Sequence, residues 1–132
     1  MTAAVDPRWY GLRNALCERR FNDAEALLRD SPVLLLMTNG LGETVLHFLA
    51  VENDREGVEW LRVRGADLDT KNAFGTPVLF EVAQLEYKEL YAWFVERGAD
   101  TTTVDGEGNS VVDYLLEYDL EEMANWVQRH DA

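Results

Sequence analysis

Apolar residues along this chain fall in short clusters at helical spacing, separated by polar stretches rich in turn formers. Leu46, Leu49 and Ala50 make one such cluster and Val58, Trp60 and Leu61 the next, with the gaps of three and four that one face of a helix requires. Thr44 stands where it can cap the first helix, and Asn53 with Glu56 three residues later reads as a capping-box-like start of the second. Gly65 then closes the second helix in the left-handed conformation that a C-terminal cap favours. The pattern returns near the end of the chain, with Ser110 before Val112, Asp119 with Glu122, and then Met123, Trp126 and Val127. At the front, Asp6-Pro7 supplies an N-cap and a proline at the first helical position.

The pairs are copies of one unit. Arg64-Gly65-Ala66-Asp67 returns 33 residues later as Arg97-Gly98-Ala99-Asp100, and a third copy is cut short at Asp131-Ala132. The same step links Gly42, Gly75 and Gly108; Leu46, Leu79 and Val112; Trp60, Trp93 and Trp126; and Leu61, Phe94 and Val127. With a one-residue slip, Leu12, Ala15, Leu16, Ala24 and Leu27 align with Leu46, Leu49, Ala50, Val58 and Leu61, which adds a diverged first unit. Four units result, at approximately 8–38, 39–71, 72–104 and 105–132. An isolated helix pair cannot bury its apolar face, so the units must stack, and residues 1–132 are expected to form a single all-α domain. The three tryptophans are expected in that core.

The run Gly42-Glu43-Thr44-Val45-Leu46-His47, followed by Leu49-Ala50, Val58 and Gly65-Ala66-Asp67, resembles the ankyrin repeat, with its Gly-x-Thr-Pro-Leu-His and later Gly-Ala-Asp. The resemblance covers residues 8 to 132. It departs from the pattern where Val45 replaces the proline, where Pro77 falls one position early, and where Phe80 and Asp113 replace the histidine. It implies an ankyrin-type solenoid of stacked helix-turn-helix repeats, finger-like connecting turns, and a concave face that binds other proteins. It also implies which positions touch a partner. These are Asn39, Gly40, Leu41, Glu43, Val51, Glu52 and Arg64 in the second unit, and Asn72, Ala73, Phe74, Thr76, Gln84, Leu85 and Arg97 in the third. In the fourth they are Asp105, Gly106, Glu107, Asn109, Glu117, Tyr118 and His130. Among them Leu41, Phe74, Leu85 and Tyr118 are apolar or amphipathic, and Glu43, Glu52, Glu107 and Glu117 surround them, an apolar centre with an acidic rim.

Charge sharpens this reading. Twenty-five acids against twelve bases give a net charge of −13, and the imbalance lies after Ala66, with fifteen acids to four bases against ten to eight before it. Phosphate-directed nucleic-acid binding is disfavoured and a basic partner favoured. The longest apolar run, Val33-Leu34-Leu35-Leu36-Met37, is too short to span a membrane. The start of the chain lacks a basic region followed by an apolar stretch, and the single cysteine, Cys17, fits a reducing, cytoplasmic setting.

Candidate chemistry is sparse. No acid or nucleophile is expected from the sequence to converge on His47, and the resemblance gives it a structural role at a helix start. Asp105-Gly106-Glu107-Gly108-Asn109 alternates oxygen ligands like the start of a calcium loop, but Ser110 and Leu116 stand where glycine and a bidentate glutamate are needed. Asp113, Glu117, Asp119, Glu121 and Glu122 read as the solvated face of a terminal repeat. The expected protein is therefore non-enzymatic, needs no metal or cofactor, is monomeric when unbound, and captures one basic protein partner. An immunity-type antagonist of a bacterial toxin is the favoured form, and a structural adaptor or assembly subunit the alternative.

Overall fold

The computed structural model describes residues 4–132. The three residues before them, on which the expectation of no export leader partly rests, lie outside the described residues. The described residues form eight α-helices and one 3-10 helix; no strand forms among them, only an isolated bridge between Lys71 and Pro77. None of these helices is long and apolar enough to cross a membrane. Two compact units divide the chain, Met1–Asp67 and Leu68–Ala132.

The first unit contains α1 (Pro7–Cys17), α2 (Phe21–Asp30), the 3-10 helix Pro32–Leu35, α3 (Val45–Val51) and α4 (Arg55–Val63). Asp6 caps α1 by accepting from the Arg8 N–H, with Pro7 first in the helix, and Thr44 Oγ1 accepts from the His47 N–H at 3.2 Å to start α3. Helix α1 packs on α2 and on α3, and α3 packs on α4. Trp9, Leu12, Leu16, Leu34, Leu49 and Val58 are fully enclosed. The Trp9 indole N–H donates to the Glu43 carbonyl at 3.1 Å, which satisfies a buried donor and ties α1 to the turn before α3.

The second unit repeats the plan with α5 (Val78–Gln84), α6 (Lys88–Glu96), α7 (Val111–Glu117) and α8 (Glu121–Asp131). Helix α5 packs on α6, α7 and α8, and α7 packs on α8. Phe80, Tyr91 and Phe94 are fully buried there, and burying a side chain of this class stabilises by about 1.5–3 kcal/mol. Helix α8 continues through Asp131, whose carboxylate accepts from the Tyr91 hydroxyl at 2.7 Å. Burial and this bond together push the Tyr91 phenol well above its ordinary pKa.

Within each helix pair the connection has one geometry. Its middle residue is left-handed: Arg19, Asn53, Glu86 and Asp119 have φ between 59° and 61°. Arg19 precedes Asn53 by 34 residues and the others follow at 33, so the backbone reproduces the slip read in the first unit. This geometry moves two of the expected caps. Asn53 and Asp119 occupy the left-handed position, which Asn and Asp tolerate best, and the N-caps fall one residue later. Asp54 accepts from the Gly57 N–H at 3.1 Å, while Leu120 begins α8 without a side-chain cap.

Two core expectations also change. Of the aligned tryptophans only Trp93 is buried; Trp60 and Trp126 are half-buried. Each carries the side chain four residues on against its ring: the Arg64 guanidinium lies 3.7 Å from the Trp60 centroid, Arg97 lies 4.5 Å from that of Trp93, and the His130 ring stacks on Trp126. In α2 it is Leu28 that is buried, and Leu27 is only partly so.

Candidate functional site

The turns that precede α3, α5 and α7 are built alike, from the side chain of their first residue. Asn39, Asn72 and Asp105 each bend back so that one side-chain oxygen accepts two backbone N–H groups, from Leu41 and Glu43, from Phe74 and Thr76, and from Glu107 and Asn109. A glycine with φ between 75° and 82° follows in each, at Gly42, Gly75 and Gly108. The residue two places after the anchoring side chain therefore stands at the tip of a self-satisfied turn. These tips are Leu41, Phe74 and Glu107.

In residues 68–132 the two turns meet. A Cβ added at Gly106 would lie 2.5 Å from the Phe74 carbonyl oxygen, and one at Gly75 would lie 2.9 Å from the Gly106 Cα. Only glycine permits this backbone approach, which holds the Phe74 turn beside the Glu107 turn. Beneath them opens a cleft of about 400 Å³, lined by Asn72, Phe74, Thr76, Glu81, Gln84, Asp105, Gly106, Glu107, Tyr114, Glu117 and Tyr118.

The floor of the cleft is a polar and aromatic lattice. Tyr114 is buried, its ring 5.3 Å from Phe80 and 5.0 Å from Tyr118, and its hydroxyl donates to Gln84 Oε1 at 2.5 Å. Burial, then Tyr118, then the nearby acids raise the Tyr114 phenol above its ordinary pKa, so it stays a donor. Asn72 Nδ2 donates to Glu81 Oε1 at 2.9 Å. At Asp105 burial opposes ionisation, but the N–H groups of Asn109 and Glu107 outweigh it and bring the carboxyl below its usual range. Above the floor Phe74 is 73% exposed and Tyr118 53%, and Glu107 and Glu117 are exposed beside them. No lysine, arginine or histidine lines the cleft.

Of the eight contact residues expected from sequence, Phe74, Glu107, Glu117 and Tyr118 thus line one cleft. Leu85 is 42% exposed at the end of α5 but does not line it. In residues 4–67, Leu41 and Glu52 are exposed. Glu43 is not a rim acid: it is 7% exposed, its carboxylate accepts from Asn39 Nδ2 at 3.0 Å, and its Oε2 lies 4.0 Å from His47 Nε2. The turn itself draws this carboxylate inward. Nor do Arg64 and Arg97 present free charge, since each folds over its tryptophan, and Arg64 also meets Glu25 at 2.8 Å.

Two lining residues, Glu81 and Tyr114, escaped the sequence reading. They occupy one column with Phe48 at the 33-residue step, and the change from Phe to Glu to Tyr along that column is the signal the sequence carried for them. Asp105 spends its carboxylate on its own turn, which explains the oxygen-rich run as turn construction. Asp113, Glu117, Asp119, Glu121 and Glu122 are all exposed. Burial followed by the Asp54 charge raises the pKa of the Cys17 thiol, which favours its unreactive protonated form. Neither the known protein-family models nor the curated proteins give a match to this sequence.

Proposed function

We propose that this chain is a non-enzymatic repeat module of the ankyrin type that captures one basic protein on the face carrying the connecting turns. The 33-residue recurrence of helix pairs, left-handed connections and side-chain-anchored turns supports the ankyrin reading. The observation that carries the function is the cleft over residues 72–118. It joins two large exposed aromatic rings to the exposed carboxylates of Glu107 and Glu117 on a preformed frame, which is the anatomy of a binding hot spot. Residues 68–132 hold fourteen acids and four bases, a field that draws in a basic partner and quickens encounter.

Capture of this kind needs stoichiometric occupancy and no reacting group. It suits an immunity-type antagonist that covers the basic site of a toxin, and it suits equally the docking of an assembly subunit. The test is affinity capture with wild type and with the Phe74→Ser, Tyr118→Ser double variant, each shown by circular dichroism to be folded. Wild type should retain a basic protein at near-equimolar ratio, and the double variant should lose it, since central anchors each contribute more than about 2 kcal/mol, or roughly thirtyfold in Kd. Retention of the same partner by the folded double variant would refute the assignment of this face. Growth arrest by the gene beside this one, relieved only by the wild type, would select the antagonist form.

A further inference from the structure

We infer that the cleft over residues 72–118 seats an arginine side chain of the captured protein, an inference that rests on the protein-capturing reading above. The lining decides the sign of the occupant's charge. Glu81 and Asp105 are engaged with Asn72 and with their own turn, but the carboxylates of Glu107 and Glu117 pair with no cation among the described residues. A group that enters beside them is favoured by donors and positive charge, and an anion would meet the acids of the lining and no base.

The aromatic rings decide between the two long cations. Phe74 and Tyr118 offer π-faces at the mouth, each more than half exposed. A guanidinium is planar and weakly hydrated, so it stacks on such rings at a low cost of dehydration, and its five in-plane donors can serve acids on two separate elements at once. Glu107 lies on the turn before α7 and Glu117 at the end of α7, and both line the cleft. An ammonium is more strongly hydrated and lacks the flat face. The frame is preformed, because the Gly106 backbone abuts the Phe74 carbonyl and Tyr114 is fixed by Gln84, so seating the side chain orders little else.

The occupant belongs to a polypeptide and is not free arginine, since the cleft has no base to receive an α-carboxylate. The probe is N-acetyl-arginine amide, titrated into ¹⁵N-labelled protein and compared with the neutral citrulline analogue, the lysine analogue and free L-arginine. Saturable shifts should be confined to the amides of residues 74, 107, 117 and 118. The lysine analogue should bind about fivefold more weakly and the citrulline analogue should not saturate. Glu107→Gln with Glu117→Gln should weaken capped arginine about tenfold, whereas Glu89→Gln, an exposed acid on α6 outside the cleft, should leave it unchanged.

Equal binding of the citrulline or lysine analogue, shifts spread over all the surface acids, or tighter binding of free L-arginine would each overturn the inference. A partner lost by the Phe74→Ser, Tyr118→Ser variant while capped arginine produces no saturable shift would overturn it alone and leave protein capture standing. Saturable arginine binding beside a partner that the double variant still retains would instead overturn protein capture at this face.

Discussion

Trp93→Ala is expected to remove most of the protein's stability, while the same change at the two aligned tryptophans should cost less. Trp93 is 6% exposed, with its ring edge-on to Phe94 at 5.3 Å and the Arg97 guanidinium 4.5 Å from its centroid. A tryptophan withdraws about 150–250 Å² from water, which at about 25 cal/mol per Å² bounds the hydrophobic term at about 4–6 kcal/mol. Alanine keeps a small part of this, and partial collapse of the cavity brings the expected loss to about 3–5 kcal/mol. Typical domains hold only about 5–15 kcal/mol in all. Trp60 and Trp126 are more exposed than Trp93, so less area is at stake and each should cost less than Trp93 does. Urea unfolding followed by far-ultraviolet circular dichroism measures all three on one scale, without relying on the fluorescence that the mutations remove. A loss at Trp93 below about 1 kcal/mol, or one equal to that at Trp60, would show that the second-helix register is wrong.

Asp54→Ala should destabilise by about 1–2 kcal/mol in the same assay, because it deletes the α4 cap; the bidentate Arg19 pair, at 2.8 and 3.0 Å, adds little where Arg19 is 40% exposed. Gly106→Ala should shift the amide resonances of residues 74–76 and 105–108 and weaken partner capture, and an unperturbed spectrum would show that the two turns are not held in contact. Asp6, Asp100 and Asp105 are all held below the ordinary carboxylate range, by Arg8, by Thr102, and by the turn N–H groups against burial, with Asp6 at about 2. Their stabilising contribution is complete above the unfolded value of 3.8 and is lost as pH falls through the lower folded values; an NMR titration of Asp6 with a midpoint near 3.8 would contradict the Arg8 contact.

What the sequence made legible is what packing and turn chemistry repeat. Leu46 and Leu79, the column of Leu61, Phe94 and Val127, the Thr44 and Ser110 caps, the Asp6-Pro7 start and the left-handed Gly65 stand where spacing put them, because short-range periodicity and turn chemistry mark each of them. The misplaced caps arose where two local preferences compete: Asn53 and Asp119 can cap a helix or take positive φ, and the tight connection uses the second property. Glu43 shows the other limit. Its burial depends on Asn39 reaching its carboxylate and on Trp9, 34 residues away, bonding its carbonyl, and no local pattern carries that information. The 3-10 helix at Pro32–Leu35 was equally silent, since a continuous apolar run has no period: Leu34 turns inward while Val33 and Leu36 remain exposed.

The division between repeated and unrepeated columns bears on recognition. Within each turn the anchoring Asn or Asp and the following glycine hardly vary, since they satisfy the backbone; the tip between them is Leu41, then Phe74, then Glu107. On the first helices the inward positions stay apolar at Leu46 and Leu79, whereas the column of Phe48, Glu81 and Tyr114 changes character at every step. A position whose backbone is already satisfied by its neighbours can change its side chain at little cost to folding, so selection for binding acts there with the least opposition. The cleft over residues 72–118 draws Phe74, Glu107, Glu117 and Tyr118 from exposed positions that vary between units, and its rigidity from the Asn72 and Asp105 anchors and the buried Tyr114. Substitutions at Phe74, Glu107, Glu117 and Tyr118 should accordingly alter capture while shifting the urea midpoint little, whereas substitutions at Asn72 or Asp105 should lower both together, because the turn that displays the side chains would come apart with its anchor.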